Sequence, residues 1–334
     1  MMKNYSLLLF LSIISIISSC EDGRVPQKQK VLTDTNPTLV FPVFSGDSAY
    51  SYVKAQTDFG PRVPNTDEHI LAGNYLVDKL SEYADTVYIQ EFMARAYNAT
   101  LLNGKNIIGS FNIKKKKRIF LAAHWDSRPY ADQDKDELNH HQAIDGANDG
   151  ASGVGILIEI ARLLQEQQPE VGIDIVMFDL EDYGVPEFET RRSNSQESWA
   201  LGSQYWAKNP HLFNYNAQYG ILLDMVGAKD AQFRMEYFSM QYAPHIVKKV
   251  WKIASNAGYG DYFLLEDGSS VLDDHYFINQ YANIPTIDII QHDPNTASGF
   301  YKHWHTKNDN LENIDAVTLK AVGQVLIEVI FREK

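Results

Sequence analysis

A chain of 334 residues, 44% hydrophobic and 12% aromatic, buries a substantial core, which excludes extended disorder over most of its length. With 30 Lys and Arg against 43 Asp and Glu, the formal net charge of −13 argues against a nucleic-acid partner, because phosphate contacts need a cationic surface. The single cysteine, Cys20, excludes an internal disulfide and any zinc site built on two thiolates.

At the N-terminus, Lys3 precedes the apolar run Leu7 to Ile17, which is too short to span a bilayer and reads as a secretory signal over residues 1–19. That run ends in Ile16-Ile17-Ser18-Ser19-Cys20, which resembles the lipobox of bacterial lipoproteins. The resemblance implies lipid on Cys20, membrane association through it, a polar tether over 20–38, and export to the bacterial cell envelope as a periplasmic or surface lipoprotein. The alternative is an incidental cysteine beside an ordinary cleavage site. No repeat, low-complexity stretch or linker interrupts the rest, so 39–334 is expected to form one catalytic domain.

Within it, strands are predicted at Asn106–Phe111, Arg118–Ala123, Ile173–Phe178, Tyr219–Leu223 and Thr286–Ile290. They are short and almost continuously apolar, as parallel strands covered on both faces tend to be. The basic run Lys114 to Arg118 reads as a solvated hairpin turn between two of them. Helices fall between strands: Val154, Leu157, Ile158, Ala161 and Leu164 recur at three- and four-residue spacing, and 316–331 repeats that pattern. The alternation predicts an α/β fold, a three-layer α/β/α arrangement around a mixed, mainly parallel sheet.

Three predicted strands run directly into ionisable residues: His124-Trp125-Asp126, Asp179-Leu180-Glu181-Asp182, and Asp224. Asp149 lies in a loop ahead of a helix, while Asp273-Asp274-His275 and Trp304-His305-Thr306 sit in later predicted loops. Ligands of open α/β sheets bind at the carboxyl edge of the strands, so these groups can converge. So many converging carboxylates demand a cation, and carboxylate with imidazole suits catalytic zinc before other divalent metals.

The order His124-x-Asp126, Asp149, Glu181-Asp182, Asp224, Asp273-Asp274-His275 and His305 resembles the zinc aminopeptidase-like fold, and most of all its animal-type glutaminyl-peptide cyclotransferases. The resemblance begins at Phe59-Gly60-Pro61-Arg62 and runs through Leu222 to Ala228 and on to Trp304-His305-Thr306. It implies that Asp149, Asp182 and His305 hold one zinc ion per chain and that Glu181 is the acid/base carboxylate. It further implies that Asp224 and Asp273 orient the substrate amide, and that Trp304 walls the pocket for a peptide or protein beginning with glutamine. The animal enzymes place a second tryptophan soon after the paired acids, where this chain has a polar stretch from Tyr183 to Glu197, and Trp199 is the candidate replacement. Asp182 stands where they have Glu, and their cysteine pair is missing. The rival is an aminopeptidase, with His124, Asp149 and Asp224 able to hold a second metal and Asp126 beside them. A peptide- or glycan-binding surface protein on an inactive scaffold would have lost a ligand or the acid/base residue, and none is lost. No Gly-x-Ser-x-Gly elbow supports a serine hydrolase.

Overall fold

A computed structural model of the chain describes residues 41–190 and 195–334. The signal, Cys20 and the tether lie outside the described residues. Phe41–Lys334 forms one compact unit. Among the described residues no helix is long and apolar enough to cross a membrane.

The central sheet has six strands in the order β1-β2-β4-β3-β5-β8, namely β1 (Thr86–Arg95), β2 (Leu101–Phe111), β4 (Gly172–Phe178), β3 (Arg118–His124), β5 (Gly220–Asp224) and β8 (Thr286–Ile290). Strands β4, β3, β5 and β8 are mutually parallel, and β2 runs antiparallel to both β1 and β4. A small parallel pair, β6 (Phe233–Met235) with β7 (Phe263–Asp267), forms a second sheet that touches the end of β8 through a Phe233–Gln291 bridge.

Side-chain alternation divides the core. Ile119, Leu121 and Ala123 of β3 join the larger cluster with α1 (Gly46–Thr57), α2 (Asp67–Tyr83), α3 (Ala151–Glu166), α6 (Pro244–Asn256) and α8 (Ala316–Arg332). Phe120 and Ala122 face the other way, onto α4 (Leu201–Lys208) and α7 (Asp274–Tyr281). The predicted three-layer fold with a mixed sheet is therefore the observed one, and the five predicted strands are five of its six.

Strand β1 escapes the apolarity criterion because it is an edge strand whose side chains are mostly exposed or half-buried. The basic run does not form a hairpin, since β4 lies between β2 and β3. Lys114–Lys117 are exposed, but Arg118 turns inward and grips the buried Asp174 carboxylate through Nε at 2.8 Å and Nη2 at 2.7 Å. A buried carboxylate in mid-sheet needs a paired, hydrogen-bonded cation, and that need decides the conformation of the run's last residue.

Candidate functional site

Parallel β3, β4 and β5 end at one edge of the sheet, so His124, the Asp179–Asp182 segment and Asp224 emerge side by side. Asp126, fully buried, accepts hydrogen bonds from the backbone of Glu181 (3.0 Å) and Asp182 (3.2 Å), which locks the orientation of that acidic pair. Leu180, immediately before the pair, takes the left-handed conformation (φ 59°). Asp309 holds the third loop in the same way, accepting from the backbone of Asn148 (2.8 Å) and Asp149 (3.1 Å). Gly150 follows at φ 92°, where a side chain would come within 2.9 Å of both the Asp126 carbonyl and the His124 ring, so this turn requires glycine.

One ligand atom from each of Asp149, Asp182 and His305 lies within 4.8 Å of the others, and all three residues are buried. His305 Nε2 is 3.2 Å from Asp182 Oδ1 and 3.6 Å from Asp149 Oδ2, while its Nδ1 faces Asp132 Oδ1 at 3.5 Å. Asp132 is gripped by both arms of the Arg128 guanidinium, at 2.7 Å each. A carboxylate behind the imidazole orients it, leaving the forward nitrogen free to bind a metal. Asp149 Oδ2 and Asp182 Oδ2 are buried and unpartnered, which is the condition a cation would relieve. The donor set therefore fits a divalent metal.

His124, Asp149 and Asp224 form a second group of the same kind, in which Nε2 of the imidazole lies 3.0 Å from Asp149 Oδ1 and 3.3 Å from Asp224 Oδ1. Burial works against a proton on His124, yet Asp126, Asp149 and Asp224 together raise its pKa well above the ordinary histidine value. Glu181 is pushed well above the usual carboxylate range, first by burial and then by Asp182, Asp273 and Asp274, against the pull of His124. Burial likewise lifts Asp224 to about 7, with Asp149 and Asp273 adding to it and His124 opposing. Asp273 is raised, mainly by burial. Asp149 goes down despite burial, because His124 hydrogen-bonds it and His305 and Arg128 lie close.

These groups floor a cavity of about 230 Å³, lined by Asp149, Glu181, Asp182, Asp224 and Asp273 and walled by Trp199, Val271, Phe300 and Trp304. Trp304 stacks on His305 at 3.8 Å between ring centroids. Trp199 lies parallel to that imidazole on a 6.1 Å separation and carries Arg128 over its own ring at 4.7 Å. A side chain at Gly184 would come within 2.0 Å of the Trp199 indole, so that glycine makes the tryptophan's seat. Asp273 is not in a loop as predicted: it caps α7, and Asp274 and His275 lie in the helix's first turn. The sequence reading missed Arg128, Asp132 and Asp309, whose spacing carries no periodic or motif signal. Nothing short of tertiary structure places them behind the site.

An α/β/α domain with an acid-and-imidazole cluster at the carboxyl edge of its strands is the architecture of zinc exopeptidases. The family described as Peptidase family M28 matches residues 106–330, and the chain belongs to it. It is similar to Bacteroides thetaiotaomicron glutaminyl cyclase bound to N-acetylhistamine, at 57% identity with a TM-score of 0.87, over 88% of this chain and 100% of that one. It is nearly as similar to a leucine aminopeptidase precursor from the same species, at 56% identity with a TM-score of 0.86, over 89% of this chain and 100% of that one. Bovine glutaminyl-peptide cyclotransferase is 24% identical over 249 residues, which span 66% of this chain and 64% of that protein. The likeness to glutaminyl cyclases within the zinc aminopeptidase-like clan, read from the strand-end residues, stands.

Proposed function

We propose that the protein is a glutaminyl-peptide cyclotransferase, converting N-terminal glutamine of peptides or proteins to pyroglutamate and releasing ammonia. Asp149, Asp182 and His305 would hold one zinc ion, which when bound supplies Lewis acidity to the γ-carboxamide oxygen of the substrate. Glu181 takes a proton from the substrate's α-amine as that nitrogen bonds to the carboxamide carbon (Cδ), and passes it to the departing ammonia as the Cδ–N bond of the amide breaks. No water is consumed. Asp224 and Asp273, both lining the pocket, hold the carboxamide and share protons with Glu181, and Trp304 packs on the apolar part of the glutamine side chain. Because nucleophile and electrophile belong to one residue, the pocket's main task is to hold the folded-back side chain in its reactive geometry.

The observation that carries this reading is an open donor set at the floor of a walled pocket: Asp149 Oδ2 and Asp182 Oδ2 are buried without a hydrogen-bond partner beside His305, and Glu181, Asp224, Asp273 and Trp304 line the same cavity. One Lewis-acidic metal with Glu181 as proton carrier suits intramolecular cyclisation, which needs no metal-bound hydroxide. The second reading, an aminopeptidase with two metals, draws on the proximity of His124, Asp149 and Asp224 and on the aminopeptidase among the similar structures. An ammonia-release assay on a Gln-initiated peptide, run beside a leucine anilide with and without chelator, separates them. Ammonia without anilide cleavage, lost on chelation, is expected; anilide cleavage alone would establish the rival.

We further propose that lipid on Cys20 anchors the enzyme in the cell envelope. The sequence around that residue supports it. Cys20→Ser should move the protein from the detergent-phase membrane fraction to the soluble one, and unchanged partitioning would refute the anchor.

A further inference from the structure

One wall of the cavity is built from Ser270, Val271, Leu272 and Asp273. These residues join β7 to α7, and Gly268–Leu272 has no regular secondary structure to hold it. A fully buried carboxylate outside the cavity, Glu236, does that holding. One of its oxygens accepts from the backbone of Val271 (3.0 Å) and Phe238 (2.9 Å). The other accepts from the backbone of Ser239 (2.5 Å), the Ser239 hydroxyl (2.7 Å) and His275 Nε2 (3.1 Å). The Ser239 hydroxyl in turn accepts from the backbone of Asp288 in β8 at 2.9 Å. Glu236 thus ties together α5 (Tyr237–Tyr242), the pocket wall, the first turn of α7 and the neighbouring strand.

Its partner His275 lies between Glu236 and two further carboxylates, Asp288 and the cavity-lining Asp273. With Nε2 engaged by Glu236, the other ring nitrogen lies 3.6 Å from Asp288 Oδ2, and His275, Asp273 and Asp288 each bring one atom within 4.8 Å of the others. Five hydrogen bonds onto one carboxylate make a rigid junction, because three come from the first turn of α5, which Glu236 caps, one from the pocket wall at Val271 and one from His275 in α7. A neutral amide at that position accepts through a single oxygen, and its NH2 would meet donors.

We propose that Glu236 is a positioning residue for the reaction, setting the placement of Asp273 and of the Val271 wall against the substrate through Val271 and His275. This rests on the reading of Asp273 as a group that faces the substrate amide. Nothing in it requires Glu236 to touch substrate or metal.

The test is a double-mutant cycle of Glu236→Gln with Asp273→Asn, with zinc content, melting temperature, kcat and KM measured for all four proteins. Glu236→Gln alone should remain folded and zinc-loaded and lose about tenfold or more in kcat, whereas in the Asp273→Asn background it should add less than about twofold. Unchanged kcat, or losses that multiply, overturns the proposal. If Glu236→Gln does not fold, His275→Gln cuts the link to α7 alone and is read by the same cycle. Crystal structures of the variants give a readout independent of activity: residues 271–273 should shift against β5 and β8, and a wall left in place overturns the proposal. Should the wild-type enzyme cleave the anilide and release no ammonia, the cyclase reading fails alone, and the cycle is read on the anilide.

Discussion

Glu181→Gln is expected to lower kcat for glutamine cyclisation by about 10²–10⁴-fold while zinc content stays at the wild-type level. The substitution preserves shape and removes the one group placed to carry the proton from amine to leaving ammonia. Glu181 lines the cavity beside the metal group but supplies none of its three ligand atoms. Its burial and its acidic neighbours hold its pKa well above the ordinary value, so the deprotonated base accumulates only as pH rises. Activity of the wild-type enzyme should therefore climb with pH as Glu181 loses its proton, and the residual rate of the variant should lose the portion of that rise due to Glu181. Metal analysis and a pH–rate profile check both halves; near-normal turnover by the variant would remove Glu181 from the mechanism.

Stripped of metal, the protein should become less stable as pH rises from about 5 to about 8, losing on the order of 5 °C or more in melting temperature, and zinc should restore it. The direction follows from the protons held. Glu181, Asp182, Asp224, Asp273, Asp274 and Asp288 are all raised by burial, Asp224 to about 7. Asp309, behind the site, is also lifted by burial to about 7. Below their folded values these carboxyls are neutral in the folded protein, whereas the unfolded chain ionises them near pH 4. The folded state then binds more protons than the unfolded one, so stability falls with pH across this window. His124 and His305 act in the same sense: burial opposes their protons but the surrounding carboxylates win, so the stability they contribute is present below pH 6.5 and is lost as pH rises through their folded values. Asp132 and Asp149, which are depressed, matter only in acid, where their stabilisation is lost as pH falls. Calorimetry on chelator-dialysed and zinc-reloaded protein at three pH values decides it. A metal-free melting temperature that is flat or rising over the window would contradict the burial of this cluster.

The strand ends were legible because the parallel strands that matter are buried on both faces and read as unbroken apolar runs. An ionisable residue directly after such a run stands out, as His124, Asp179 with Glu181 two residues on, and Asp224 do. Edge strand β1 and helix α7 were illegible for the opposite reason. The first is mostly exposed or half-buried and carries no apolar run. The second opens with Asp273, Asp274 and His275, whose polarity reads as loop, although Asp273 caps the helix and the other two are fully buried in its first turn.

The sequence by itself determined the layer architecture, the strand cores and the set of acids and imidazoles at the sheet edge, because apolar periodicity and chain order are local properties. Tertiary structure alone decided which of them meet: the pairing of His305 with Asp149 and Asp182, the bridging of Asp149 and Asp224 by His124, and the supporting shell of Arg128, Asp132, Asp309 and Glu236. Those contacts join residues far apart in the chain, and a buried charge chooses its partner by distance and desolvation in the folded state.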